Sequence, residues 1–244
     1  YYSDRDDGQM VFSVGFRTLP EDDTGVFHII EHSVLDGSES FRLKQPFVNL
    51  MKTSLFVSLN AVTYPDKTFY YFSSSDEGAF MNMMRVYLDA VFHPLALSDR
   101  RIFEKEAWHL EPDGEGGVRC SGVVFNEMQD SDSQPASRLY AQHNRQLFPD
   151  LHYRFISGGD PAAIRTLSYE QFRETYARFY RPDNAVFYLS GKIGFDEELS
   201  EIDRVLSGLQ TPQRAPPAPA PLQAPVVSPD GAVYYQLNSS EPTE

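Results

Sequence analysis

The sequence has one cysteine, Cys120, which excludes an intrachain disulfide and a cysteine-based zinc ribbon. No apolar run approaches the roughly 20 residues that span a bilayer, and the N-terminal residues YYSD lack the regions of a signal peptide. Basic residues are few: 21 Lys and Arg against 35 Asp and Glu give a net charge of −14, which repels a phosphate backbone. We therefore expect a soluble protein of a bacterial cytoplasm or an organelle matrix, rather than a secreted one, that binds neither nucleic acid nor membrane.

Length and proline distribution indicate one main domain. The 244 residues are 41% hydrophobic, enough for a single globular core. Seven of the 17 prolines fall between Thr211 and Pro229, which is typical of an extended linker. We predict a domain over residues 1–209, truncated at its N-terminus because a strand pattern begins within ten residues, and a Pro/Ala-rich linker over 210–230. Residues 231–244 are either the start of a following domain or a disordered tail.

Strand and helix patterns alternate without a regular βαβ rhythm. The predicted strands are Met10–Arg17, Leu55–Thr63, Thr68–Ser74, Val118–Phe125 and Ala185–Ser190. The predicted helices are Gly25–Leu35, Pro46–Lys52, Glu77–Phe92, Asp99–His109, Ser133–Leu147, Tyr169–Tyr180 and Asp196–Leu209. Residues 64–67 (YPDK) predict a hairpin turn between the second and third strands. The fold class is therefore α+β, a mixed and largely antiparallel sheet covered by helices.

The first predicted helix contains HIIEH at residues 28–32, the pattern H-x-x-E-H. His28 and His32 lie one turn apart on one helix face, so both imidazoles can reach a single zinc ion. Glu31 borders the same face and is placed to act as the general base on a zinc-bound water. Two buried histidines that only pack are the alternative, but an apolar helix seldom places His, Glu and His on one face for packing alone. The inverted order is the one found in inverzincins.

A catalytic zinc needs a third protein ligand from another segment. Periodicity cannot choose among Glu104, Glu106, Glu111 and Glu127. Glu127 is favoured modestly, because it follows the apolar run GVVF, which should be buried, and a buried glutamate is rarely left unpaired. The remaining histidines lack ligand spacing and are left outside the site: His93, His109, His143 and His152.

Several motifs, in order along residues 10–209, resemble the pitrilysin/insulinase family of peptidases, most closely its presequence-protease branch. They are GVFHIIEHSVLDGSESFRLKQPFVNLMKTSL, SLNAVTYPDKTFYYFSS, EAWHLE, GVVFNEM and YRFISGGDP. The resemblance implies a pitrilysin-like metallohydrolase fold and one Zn²⁺ per chain held by His28, His32 and Glu127. It also implies Glu31 as catalytic base and Glu106 as a group that orients a ligand histidine.

The resemblance further implies that unstructured peptides bind by adding a strand to a sheet edge, with Asn60 and Ala61 as the contacts. Residues 1–209 would then be the catalytic domain of a zinc metallo-endopeptidase, and the missing C-terminal half of the same polypeptide would be needed for full activity. A non-catalytic peptide-binding or scaffold domain of the same fold is the alternative. A purely structural zinc site is disfavoured, because it would leave Glu31 without a role.

Overall fold

The strands of the main sheet come from both ends of the chain. The computed structural model describes residues 1–6, 8–42, 47, 52, 54–209 and 222–224. Strands β1 to β7 are Tyr2–Ser3, Met10–Arg17, Ser58–Thr63, Lys67–Ser74, His109–Pro112, Val118–Ser121 and Ala185–Ser190. Five form one sheet in the order β1-β7-β2-β4-β3, in which only the β1–β7 pair is parallel, and β5 and β6 form a separate two-stranded sheet. Among the described residues, β3 is therefore an edge strand.

Helices α1 to α8 of the described residues are Val26–Val34, Glu77–Phe92, Arg100–Glu106, Val123–Asp132, Pro135–Leu147, Pro161–Ile164, Tyr169–Phe179 and Phe195–Ser207. Short 3₁₀ turns cover Leu95–Leu97, His152–Arg154 and Pro182–Asn184. None of the helices in this part of the chain has the length and apolar character that crossing a bilayer requires.

The core lies between one face of the sheet and the long helix α2. Alternate residues of β2 and β4 are fully buried, including Phe12 and Phe72, as the two-residue period of a strand requires. The Phe72 ring lies 5.2 Å from the ring of Phe80 and 5.1 Å from that of Tyr87, both on α2. The predicted α+β class, with a largely antiparallel sheet covered by helices, is confirmed.

The sequence predicts the bounds of a helix or a hairpin closely where capping or turn residues mark its ends. Helix α2 has the predicted bounds, and the Asp76 carboxylate accepts a hydrogen bond from the Ala79 amide. Helix α7 begins with a reciprocal capping box between Ser168 and Gln171. Strands β3 and β4 pair as the predicted hairpin, closed by the Tyr64 amide donating to the Lys67 carbonyl. Strands β2 and β7 also have the predicted bounds, the remaining boundaries differ by one to four residues, and β1, β5, α4 and α6 were not predicted.

The strand predicted over Val118–Phe125 is wrong beyond Ser121. The chain turns at Gly122 and continues as helix α4. A Cβ on residue 122 would lie 2.2 Å from the Ala107 carbonyl oxygen, so a side chain does not fit at this turn. Val124 and Phe125 are buried, so packing of one helix face overrides the strand preference of the β-branched run. The helix predicted over Asp99–His109 likewise ends at Glu106, and β5 follows.

The helix predicted over Pro46–Lys52 lies outside the described residues except for residues 47 and 52. The linker and tail predicted over 210–230 and 231–244 also lie outside them, apart from residues 222–224. These three assignments stay predictions.

Candidate active site

Helix α1 presents two histidines on its solvent side. Ile29 and Ile30 are fully buried and anchor the helix, whereas the side chains of His28 and His32 are 11% and 25% exposed. The two imidazole rings lie 4.9 Å apart. The Nε2 atom of each lies 3.7 Å from Oε2 of Glu127, which α4 supplies. The ligand atoms of these three residues all fall within 4.8 Å of one another, a cluster that could hold a metal ion.

The other ring nitrogen of each histidine is held by the protein. Nδ1 of His28 lies 3.1 Å from the Gly158 carbonyl oxygen, and Nδ1 of His32 lies 3.3 Å from Oε2 of Glu106. A carbonyl oxygen can only accept, so His28 donates from Nδ1 and its Nε2 lone pair faces Glu127. This is the arrangement in which metal-binding histidines are commonly oriented. The structure thus brings Glu106 to the position that the resemblance implied for it.

Glu106 is buried, with 5% of its surface exposed, and has two basic partners. Besides His32, the Lys105 ammonium lies 2.8 Å from its Oε1 and 3.0 Å from a carboxylate oxygen of Asp36. Burial raises the pKa of Glu106, but the hydrogen bonds and charges of His32 and Lys105 outweigh burial and lower it. Burial lowers the pKa of His32, yet the hydrogen bond and charge of Glu106, with the charges of Glu31 and Glu127, raise it overall. The carboxylates of Glu106, Glu31 and Glu127 thus all act on His32.

Glu31 lies behind the histidines and is 7% exposed. Its Oε2 accepts a hydrogen bond of 2.6 Å from the Thr63 hydroxyl at the end of β3. The side chain also lines the cavity, of about 440 Å³, that contains the histidines and Glu127. A buried carboxylate beside a candidate metal site is suited to accept and return a proton.

The other expected residues fall into two groups. Asn60 and Ala61 lie on the edge strand β3 and line the same cavity, where the Ala61 amide donates to the Asn60 side chain over 2.9 Å. Glu104 and Glu111 instead pair with Arg100 and Arg119 on exposed surfaces and contribute nothing to the cluster. The expectation that Glu127 is buried is wrong, because its side chain is 55% exposed. It reaches the histidines from a helix, not from the end of a buried strand.

Curated relatives match most of this chain. Protein HypA of Clostridium perfringens is 46% identical over 199 residues, which cover 81% of this chain and 20% of the relative. Presequence protease 1, chloroplastic/mitochondrial, of Arabidopsis thaliana is 43% identical over 215 residues, which cover 88% and 20%. The chain thus spans about one fifth of the length of these relatives. It belongs to the pitrilysin/insulinase family, in the presequence-protease branch.

Two further comparisons concern the fold and the C-terminal part of the chain. A protease from Helicobacter pylori has the same fold, with a TM-score of 0.67 at 15% identity, over 89% of this chain and 50% of that one. The family model "Peptidase M16 inactive domain" matches residues 166–242. That match begins after His28, Glu31, His32 and Glu127, so it does not include the candidate site.

Three residues contact the candidate site but are not indicated by the helix pattern of the sequence. They are Gly158, Thr63 and Lys105. The carbonyl of Gly158 reaches His28 because two glycines meet closely. Gly25 has a φ of 64°, and a Cβ there would lie 2.4 Å from the Gly158 oxygen. The isolated glycine before the helix and the Gly-Gly pair in YRFISGGDP were the available signals.

A second cavity borders β3 beside the central one. It has about 270 Å³, its walls include Leu35, Phe47 and Lys105, and it shares Asn60 and Ala61 with the central cavity. These two cavities form a groove along the edge strand. A third cavity, of about 340 Å³, shares Met128 and Ser157 with the central one but lies away from β3.

Proposed function

We propose that this chain is the catalytic part of a zinc metallo-endopeptidase that hydrolyses unfolded peptides. The observation that carries the proposal is the convergence of the His28, His32 and Glu127 ligand atoms within 4.8 Å in a cavity that Glu31 also lines. Relatives that are themselves named presequence proteases support it.

The donor set fits zinc. Two imidazole nitrogens and one carboxylate oxygen are a known ligand combination of catalytic zinc sites with an open fourth position. Both Nδ1 atoms have partners and both Nε2 atoms face Glu127, so the histidines are oriented before any metal binds. When bound, zinc would supply Lewis-acid polarisation of the peptide carbonyl and an acidified water.

Glu31 would move the proton. Its Oε2 is occupied by Thr63, which leaves Oε1 to take a proton from the attacking water. The same oxygen would return the proton to the departing amine nitrogen, so Glu31 acts first as base and then as acid. Because Glu31 is only 7% exposed, bulk water would not compete for that proton.

Edge strand β3 would bind the substrate. An extended peptide can pair with the backbone of an unpaired edge, which gives affinity with little sequence preference, and a folded chain cannot present such a strand. Asn60 and Ala61 would be the contacts, with the Asn60 side chain leaving the Ala61 amide as the peptide enters. The acidic surface would favour basic peptides such as targeting sequences.

Full activity would need more than this chain. Because the relatives are about five times longer, we propose that the C-terminal half of the polypeptide completes the substrate chamber and that the chain alone cleaves slowly. The names of mitochondrial and chloroplastic relatives, and the bacterial relative, favour an organelle matrix or a bacterial cytoplasm as its location.

A second candidate is a peptide-binding domain without catalysis. The match of residues 166–242 to an "inactive domain" model favours it. Such a domain would use the same groove along β3 and would have no need of Glu31.

Zinc analysis combined with peptide cleavage separates the two candidates. We expect one zinc per chain in the wild type and in Glu31→Gln, no zinc in His28→Ala, and an unchanged content in His143→Ala, an exposed control. Cleavage of an unstructured basic peptide should fall at least a hundredfold in Glu31→Gln. The binding domain would be favoured if wild type and His28→Ala bound the peptide equally well without metal. Neither the chain nor the longer polypeptide would then cleave the peptide.

A further inference from the structure

A row of hydroxyl groups leads from Glu31 into the core. Thr63 Oγ1 lies 2.6 Å from Glu31 Oε2 and 3.3 Å from Thr68 Oγ1, and Thr68 Oγ1 lies 2.9 Å from Thr18 Oγ1. An ionised carboxylate only accepts hydrogen bonds, so the single proton of Thr63 goes to Glu31. Thr63 can then only accept from Thr68. The carboxylate therefore fixes the direction of the whole row.

Two buried tyrosines continue the row. The Tyr180 hydroxyl is hydrogen-bonded to Thr68 and lies 2.8 Å from the Tyr70 hydroxyl. Burial, then the neighbouring Tyr180 and Glu31, raise the pKa of Tyr70 well above its usual range, so it stays a neutral donor. Hydrogen bonds in such a chain polarise and strengthen one another in a medium of low dielectric constant.

Thr63 joins two parts of the site. It is the last residue of edge strand β3, its backbone pairs with Thr68 on β4, and α1 packs against β3. A peptide on β3 and the carboxylate on α1 are thus fixed relative to each other by one side chain. Replacing the Thr63 hydroxyl by a methyl group can test this link without altering a candidate metal ligand.

We propose that Thr63 is the positioning residue of Glu31. Its hydroxyl holds Oε2 and turns Oε1 toward the substrate. This inference rests on the proposed peptidase function for its kinetic consequence, but the contact itself does not depend on catalysis.

The kinetic test compares Thr63→Val, which keeps the shape and removes the hydroxyl, with Thr63→Ser, which keeps the hydroxyl. Thr166→Val is the control, because the Thr166 hydroxyl donates to a nearby backbone carbonyl far from the site. In the longer polypeptide we expect kcat to fall about tenfold or more in Thr63→Val, with KM changed less than twofold and zinc content unchanged. Thr63→Ser should recover most of kcat. Equal losses in both variants, or a change in KM alone, would overturn the proposal.

A spectroscopic test needs no turnover. The chain is labelled with ¹³C at the glutamate side-chain carboxyl, and the Glu31 signal is assigned by its loss in Glu31→Gln. We expect this signal to move in Thr63→Val, to return in Thr63→Ser and to stay in place in Thr166→Val. An unmoved signal in Thr63→Val would refute the contact. If the signal moves but the wild type cleaves nothing, the peptidase function fails while the Thr63–Glu31 contact stands.

Discussion

Two glutamates on different helices, α3 and α8, are almost equally buried, and their surroundings differ. Glu106, 5% exposed beside α1, is bound by His32 and Lys105, which lower its pKa. Glu198, 1% exposed on α8, has an Oε2 without a hydrogen-bond partner among the described residues. Burial and the charges of Glu197 and Glu77 raise its pKa, although a hydrogen bond from its own backbone opposes them.

Burial alone therefore does not set the charge of a carboxylate in this fold. At the site, positive partners keep Glu106 ionised where a cation would bind. For Glu198 no basic partner among the described residues compensates for burial, so its negative charge costs stability. Removing the charge of Glu106 should therefore weaken metal binding, whereas removing the charge of Glu198 should stabilise the fold.

The largest effect is expected for Glu106→Gln. The glutamine side-chain oxygen can still accept a hydrogen bond from His32 but carries no charge, so the hydrogen bond that orients His32 weakens and the zinc affinity should fall about 10–100-fold. Competition with a chelating dye measures this. Glu104→Gln, on the same helix but exposed and paired with Arg100, is the matched control and should leave the affinity unchanged. Equal affinities for both variants would show that the buried carboxylate does not act on the metal site.

A smaller effect, a gain in the free energy of unfolding, is expected for Glu198→Gln. Its folded pKa is raised above the unfolded value, so its favourable contribution is present below the unfolded pKa and is lost as pH rises through the folded pKa. At pH 7 the variant should be more stable by roughly 1 kcal/mol, or about 2–4 °C in melting temperature.

The gain from Glu198→Gln should shrink as the pH is lowered toward the unfolded pKa of glutamate, near 4.3. Thermal melts across that range measure it, with Glu174→Gln, an exposed glutamate on α7, as the control. A gain that stays constant with pH would mean that shape, not charge, is responsible.

Sequence patterns predicted what is local in this molecule. The α2 cap at Asp76 and the capping box of Ser168 lie within one helical turn, and H-x-x-E-H is itself a one-turn pattern. Glu127 and Glu106 lie 95 and 74 residues beyond His32, so local patterns could only offer candidates and the family resemblance chose between them. Thr63 and Gly158 reach the site through tertiary packing, which no local pattern encodes. Helix α4 was misread because its apolar run has strand propensity that packing overrides.

The smallest effect is expected for Arg204→Gln, on the same helix as Glu198. The Arg204 side chain is 66% exposed and pairs with Glu201, which also has Arg85 as a partner. Water and salt screen the exposed Arg204 guanidinium, and Arg85 stays beside the buried Glu201 carboxylate, so the free energy of unfolding should change by less than about 0.5 kcal/mol. Urea unfolding at low and at 1 M salt measures this. A loss above about 2 kcal/mol would mean that α8 also depends on a paired buried carboxylate, that of Glu201, and the contrast between Glu106 and Glu198 would then lie in the partners of one residue rather than in two regions of the fold.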